Sequence, residues 1–221
     1  MSDAPTLVTA EHFAYLAERT EGDDAFLAEL KQAARDAGIP PIWVNAAQAS
    51  FMAVLLQLCG ARRVLEVGTL AGSTAIRLAR ALPADGRVET VELSEKHADF
   101  AQDWIARSDV AGRVELLRGR GQDVLPTLPD GAYDALFLDA DKSGYGDYLA
   151  EGRRLLCPGG LLMVDNAFAF GELFAAEPKD PEVGAVRAFN DRMAEACRGA
   201  AADFAAVIVP MGDGMWVGVR R

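Results

Sequence analysis

From Arg62 onward the chain alternates short apolar runs with stretches of helical spacing, and that rhythm constrains its fold more than any other feature. The runs are 63–67, 87–91, 114–117, 133–138 and 161–164, the last after a Pro158-Gly159-Gly160 turn; helical segments at 73–82, 95–108, 121–128 and 144–156 fall between them. Parallel strands must be joined by crossovers, and strands buried on both faces read as near-continuous apolar runs. The alternation therefore predicts an α/β fold with a mostly parallel sheet and helices on both faces. A helix over 181–198 precedes two final strands, near 204–209 and 215–220, separated by Gly212-Asp213-Gly214. Such a break is a hairpin signal, so the sheet is expected to end with an antiparallel strand.

Ahead of this core the spacing predicts a tail over residues 1–8 and helices over 9–19, 23–37 and 46–59, with Gly38 as a C-cap and Pro40-Pro41 as a break. A chain of 221 residues suits one domain, with N-terminal helices in 1–60 and the α/β core in 61–221. Hydrophobic residues at 51% and charged residues at 25% are ordinary for a globular protein. The net charge of −11 repels phosphate backbones, which argues against a nucleic-acid partner. No apolar stretch is long enough for a membrane span, and the first 20 residues lack the apolar core of a secretory signal. The three cysteines, Cys59, Cys157 and Cys197, are scattered and form no CxxC pair, so they read as reduced, buried thiols of a cytoplasmic protein.

The segment Glu66-Val67-Gly68-Thr69-Leu70-Ala71-Gly72-Ser73-Thr74 closes the first strand and opens a helix. In an open α/β sheet, ligands bind beyond the carboxyl ends of the strands. Its glycines are spaced G-xxx-G after an acidic residue, not GxGxxG, which suits a cofactor with no pyrophosphate and with a positive sulfonium. The Glu66 carboxylate would meet that charge directly or through water. Glu92, ending the second strand, is placed to accept from ribose hydroxyls. Gly119-Arg120-Gly121 follows the third strand, where backbone can meet an adenine edge.

Asp139 ends the fourth strand, and Asp165-Asn166 ends the fifth. If those strands are neighbours, three oxygen donors converge with no Cys or His nearby, a set suited to Mg²⁺, Mn²⁺ or Ca²⁺. Lys142, three residues on from Asp139, is a candidate general base; its bland reading is a surface ion pair with Asp141 or Asp147.

The run from Val64 to Asn166, with Asn45-Ala46-Ala47-Gln48 before it and Pro210-Met211-Gly212-Asp213-Gly214 after it, resembles the cation-dependent O-methyltransferases of the catechol and caffeoyl-CoA type. The resemblance extends from about residue 40 to the end and implies a Rossmann-like class I methyltransferase fold with a seven-stranded sheet. It implies metal binding by Asp139, Asp165 and Asn166, a base at Lys142, and an S-adenosylmethionine site lined by Val44, Glu66, Gly68, Thr69, Thr74, Glu92, Gly121 and Asp139. It also implies a homodimer acting on a small hydroxyl acceptor, catechol-like and bearing vicinal oxygens. Two departures stand out: Glu92 where relatives often carry aspartate, and Ala167-Phe168-Ala169-Phe170-Gly171-Glu172 where they carry a tryptophan and a Gly-rich turn.

Other features weigh less. His12 and His97, the only histidines, are expected on helices away from the strand ends. Trp43 precedes Val44 and borders the cofactor if it does more than pack; Trp104 reads as packing, and Trp216 as core or dimer interface. Phe168 and Phe170 are candidates for an aromatic acceptor wall. Competing readings are a nucleotide-dependent dehydrogenase, opposed by the missing GxGxxG, and a cofactor-binding protein without catalysis, opposed by the intact Asp139, Lys142, Asp165 and Asn166 set.

Overall fold

The computed structural model describes residues 8–221, so the expected tail lies, except for Val8, outside the described residues. The sheet comprises β1 (Arg63–Val67), β2 (Arg87–Glu92), β3 (Val114–Arg118), β4 (Tyr133–Leu138), β5 (Leu156–Val164), β6 (Phe204–Val209) and β7 (Met215–Arg220). Their order is β3-β2-β1-β4-β5-β7-β6. β1 to β5 pair in parallel, and β7 runs antiparallel between β5 and β6.

The pleat explains why these runs carry almost no polar residues. Val64, Ala135, Phe137, Leu161 and Met163 point into one core, under α2 (Ala25–Asp36), α3 (Ala46–Leu58), α4 (Ser73–Ala81) and α5 (Glu95–Arg107). Their neighbours Leu65, Val67, Leu136, Leu138, Leu162 and Val164 point into a second core, under α7 (Tyr145–Leu155) and α8 (Val183–Ala196). The remaining helices are α1 (Ala10–Ala17) and α6 (Gly121–Val124). Three helices start where a side chain satisfies a free backbone N–H: Asp24 accepts from Leu27, Asn45 from Gln48, and Ser94 from His97. Each such cap contributes about 1 kcal/mol.

Two boundaries differ from expectation. β5 begins at Leu156 and carries Pro158-Gly159-Gly160 within it, because a register shift against β4 between Tyr133 and Ala135 absorbs the irregular residues. The helix expected over 121–128 divides into α6 and a 3₁₀ turn at Leu125–Thr127, with Pro126 in its first turn. The cysteines are free but not buried as expected: Cys59 is exposed at the end of α3, and Cys157 and Cys197 are half-buried. Among the described residues, no helix is long and apolar enough to cross a membrane.

The chain leaves β1 toward β2 and β3, then returns to β4 and β5 on the other side of β1. The crevice beyond the carboxyl ends of β1 and β4 is thus the topological switch point, where ligands bind in sheets of this kind.

Candidate active site

A cavity of about 520 Å³ opens at that switch point. Its floor is a ladder of strand tips. The Asp139 N–H donates to the Val67 carbonyl (2.9 Å), and the Asp165 N–H donates to the Leu138 carbonyl (3.0 Å). The tips of β1, β4 and β5 are therefore laced side by side, and Asp139 and Asp165 leave adjacent strands.

The approach of β1 to β4 depends on Gly68. Its φ is +107°, and a Cβ there would stand 2.1 Å from the Asp139 carbonyl oxygen. Leu70 follows at φ 50°, a conformation disfavoured for a branched side chain, and Glu92 holds it by accepting from the Leu70 N–H (2.8 Å). The other Glu92 oxygen accepts from the Ser94 N–H (2.9 Å), with the His97 ring 3.6 Å away. So the Glu92 carboxylate braces the Gly68–Gly72 turn from across the β1–β2 pair while lining the cavity.

Glu66 is fully buried beneath this turn. Thr90 donates to one of its oxygens (2.5 Å) and is itself bonded to Thr69 (2.6 Å); the other oxygen has no partner. Burial pushes the carboxyl up to about 8, against the Thr90 hydrogen bond. A buried carboxyl with one orphaned oxygen beside a glycine-floored cavity fits a cationic cofactor, reached directly or through water.

On the other side of the cavity, Lys142 is 5% exposed and not on the surface. Its ammonium donates to Asp139 (3.1 Å) and to the Tyr145 hydroxyl (2.8 Å), and its backbone N–H donates to Glu182 (3.1 Å). The pairing with Asp141 or Asp147 is therefore not made; Asp141 instead accepts from the Tyr148 hydroxyl (2.7 Å) and from Gly144. Asp165 is pushed up from the ordinary carboxylate range, first by burial and then by the charge of Asp139. Gln48 donates to Asp165 (2.6 Å), and Asn166, at φ 64°, donates to Asp213 (3.3 Å). Among the described residues no three His, Cys, Asp or Glu side chains cluster to hold a metal ion, so these acids alone make no metal site, and Asn166 stands beside them as a further oxygen donor. Two acids and an amide, all oxygen donors and one acid strained by its neighbour's charge, fit a hard divalent ion.

Of the residues singled out from sequence, Gly68, Thr69, Thr74, Glu92, Gly121, Asp139, Lys142 and Asn166 line the cavity. Glu66 and Asp165 lie buried behind its wall, and Val44 packs into the core behind Trp43, which does border the cavity. Phe170 lines the cavity, whereas Phe168 packs against Gly214. Trp216 is core, its indole N–H donating to Asn190 (2.7 Å). His97, expected away from the strand ends, borders the cavity beside Glu92 because α5 begins directly after β2; its spacing from Glu92 was the available signal. Tyr148 and Glu182 also line it and had no local signal, being brought in by α7 and by the start of α8.

A sheet in this order, with a glycine cradle at its switch point, an acidic residue next to last in β1 and another ending β2, defines a class I S-adenosylmethionine-dependent methyltransferase. The chain belongs to the O-methyltransferase family, whose model matches residues 17–221. It is 41% identical over 171 residues to a catechol O-methyltransferase of Niastella koreensis, covering 76% of this chain and 77% of that one. A catechol O-methyltransferase of Mycobacterium tuberculosis is 40% identical over 182 residues, 82% of each chain. Among solved structures, an O-methyltransferase of Bacillus cereus in complex with S-adenosylhomocysteine superposes with a TM-score of 0.83 at 33% identity, covering 94% of this chain and 96% of that one. The O-methyltransferase TomG of Streptomyces achromogenes, of tomaymycin synthesis and solved with S-adenosylmethionine, does so with 0.82 at 32% identity and 94% of each chain. The protein is an S-adenosylmethionine-dependent O-methyltransferase.

Proposed function

We propose that this enzyme transfers the methyl group to one hydroxyl of a catechol-like acceptor and requires a divalent cation, Mg²⁺ first, held by Asp139, Asp165 and Asn166. The observation that carries the reading is the pair of acids on adjacent strand tips, Asp165 strained by burial and by Asp139, with the Lys142 ammonium 3.1 Å from Asp139. The names of the Niastella koreensis and Mycobacterium tuberculosis relatives point to the same acceptor class.

When bound, the cation supplies positive charge that favours the ionised form of an acceptor hydroxyl and selects molecules with two neighbouring oxygens. The chain does the rest. Gly68, Thr69, Thr74, Glu92 and Gly121 seat the cofactor, with Trp43 and His97 at its border, and Glu66 faces its positive end from below. Lys142 has three N–H donors, two of them engaged by Asp139 and Tyr145, so one direction is left for an acceptor hydroxyl. Only as the neutral amine, with a lone pair in that third direction, does Lys142 take the acceptor hydroxyl's proton and become the ammonium, as the acceptor oxygen attacks the methyl carbon and the sulfonium sulfur leaves as a neutral thioether. Phe170 forms one wall against the acceptor ring. Holding oxygen and methyl in line is the chief source of rate, with effective molarities that reach ~10⁵ M in favourable cases.

The whole chain works as one domain in this reading, and as a homodimer in the cytoplasm. The free cysteines suit a reducing compartment. α1 suits a dimer contact: all of its residues are exposed, Phe13, Tyr15 and Leu16 among them. The test is a panel of catechols, flavonoids and hydroxycinnamoyl thioesters, with monohydric phenols as controls, incubated with labelled cofactor and Mg²⁺. Vicinal diols are expected to be labelled at least tenfold faster than their monohydric counterparts. Equal labelling of the two classes overturns the chelating acceptor.

A further inference from the structure

We propose that Asn45–Gln48 and Pro210–Gly214 form an outer clasp that positions Asp165 and Asn166, with Gln48 and Asp213 as its positioning residues. The inference rests on the reading of Asp165 and Asn166 as cation-holding groups. Neither segment has a part in the mechanism above, yet the fold brings them together from opposite ends of the chain.

Gln48 is 3% exposed, and every polar group of its side chain is engaged. Asn45 donates from its amide to the Gln48 Oε1 (3.0 Å), which turns the Gln48 Nε2 toward the Asp165 Oδ1 (2.6 Å). Asn45 in turn accepts from the Gln48 N–H (2.9 Å), so the start of α3 locks the amide in one orientation. Gly212 closes over it: at φ +57°, a Cβ there would stand 2.4 Å from the Gln48 Oε1. The next residue, Asp213, accepts from the Asn166 side chain (3.3 Å), from the Phe170 N–H (2.7 Å) and from the Gly171 N–H (3.1 Å). The Ala167 and Phe168 N–H groups donate to the Gly214 and Asp213 carbonyls (2.9 and 2.8 Å).

One turn therefore bonds Asn166 and the acceptor wall directly and reaches Asp165 through Gln48. Asn166, Ala169 and Phe170 all hold positive φ, at 64°, 54° and 60°, and such backbone persists only where the surroundings fix it. By accepting from the Asn166 Nδ2, Asp213 leaves the Oδ1 of that side-chain amide as the group free to meet a cation. By taking the Phe170 and Gly171 N–H groups, it sets the loop that carries Phe170 into the cavity. Partners behind a ligating group fix its orientation, and their loss typically lowers metal affinity about 10–100-fold.

The experiment titrates the full-length protein, saturated with S-adenosylhomocysteine, with Mn²⁺ and follows the free ion by electron paramagnetic resonance. Wild type, Asn166→Ala, Gln48→Leu and Asp213→Asn are compared, and S-adenosylhomocysteine affinity is measured on each by calorimetry. Gln48→Leu and Asp213→Asn are expected to weaken Mn²⁺ at least about tenfold, with S-adenosylhomocysteine affinity unchanged within twofold. Unchanged Mn²⁺ affinity in both, with Asn166→Ala weakened, overturns the clasp and leaves the cation site standing. A parallel loss of both affinities marks a general structural role and also overturns it. A wild type that binds no Mn²⁺, or an Asn166→Ala that binds it as well as wild type, overturns the cation reading and the clasp with it. Should Asp213→Asn fail to fold, Gln48→Leu decides alone, since leucine occupies a similar volume without a donor.

Discussion

Glu66 carries the sharpest pH consequence of any single side chain. It titrates near 4.5 when free and at about 8 in the fold, where burial outweighs the Thr90 hydrogen bond. Between those values the folded protein holds a proton that the unfolded chain has released, so this group makes stability fall as pH rises. Glu66→Gln removes that slope. In the cofactor-free protein the variant is expected to melt at least about 3 °C above wild type beyond pH 8, on the order of 1 kcal/mol for a chain of this size. The two are expected to converge toward pH 5. Melting curves that run parallel from pH 5 to 9 would show that Glu66 is ionised in the fold. The acid at this position could be singled out from sequence as a candidate, since it precedes the glycine turn. Its burial could not, because the wall that covers it comes from β2.

Among the elements, the tips of β1 and β4 set the geometry on which the site depends. Gly68→Ala forces a Cβ onto backbone at Asp139, where no flexible side chain can move aside, and at a φ that L residues rarely adopt. A destabilisation of about 3 kcal/mol is expected in urea unfolding. A loss below about 1 kcal/mol would mean that the two tips can part. The strands themselves were readable because both faces are buried and the apolar runs are unbroken. The start of β5 was not: Pro158-Gly159-Gly160 has the composition of a turn, and only pairing with β4 holds it in the strand. For Lys142 the bland reading, a surface ion pair, does not hold, since its ammonium is buried against Asp139 and against Tyr145 at the start of α7.

At the scale of the whole molecule, the local motifs ending β1, β2, β4 and β5 were legible because each sits on its own strand tip. What was not legible is whatever the topology imports, such as Tyr148 and Glu182 in the cavity wall or the meeting of Gln48 with the Gly212 turn. The exposed apolar face of α1 belongs to this scale too. The double variant Phe13→Glu/Leu16→Glu is expected to sediment as a monomer where wild type sediments as a dimer. A wild-type monomer, or a variant that stays dimeric, rules out that contact. The proposed dependence on a divalent cation is tested most directly by the initial rate of catechol methylation after EDTA treatment, before and after Mg²⁺ is restored. The rate is expected to fall at least about 100-fold in EDTA, in line with the loss of several kcal/mol of charge stabilisation, and to return with Mg²⁺. A rate that EDTA leaves unchanged would contradict it.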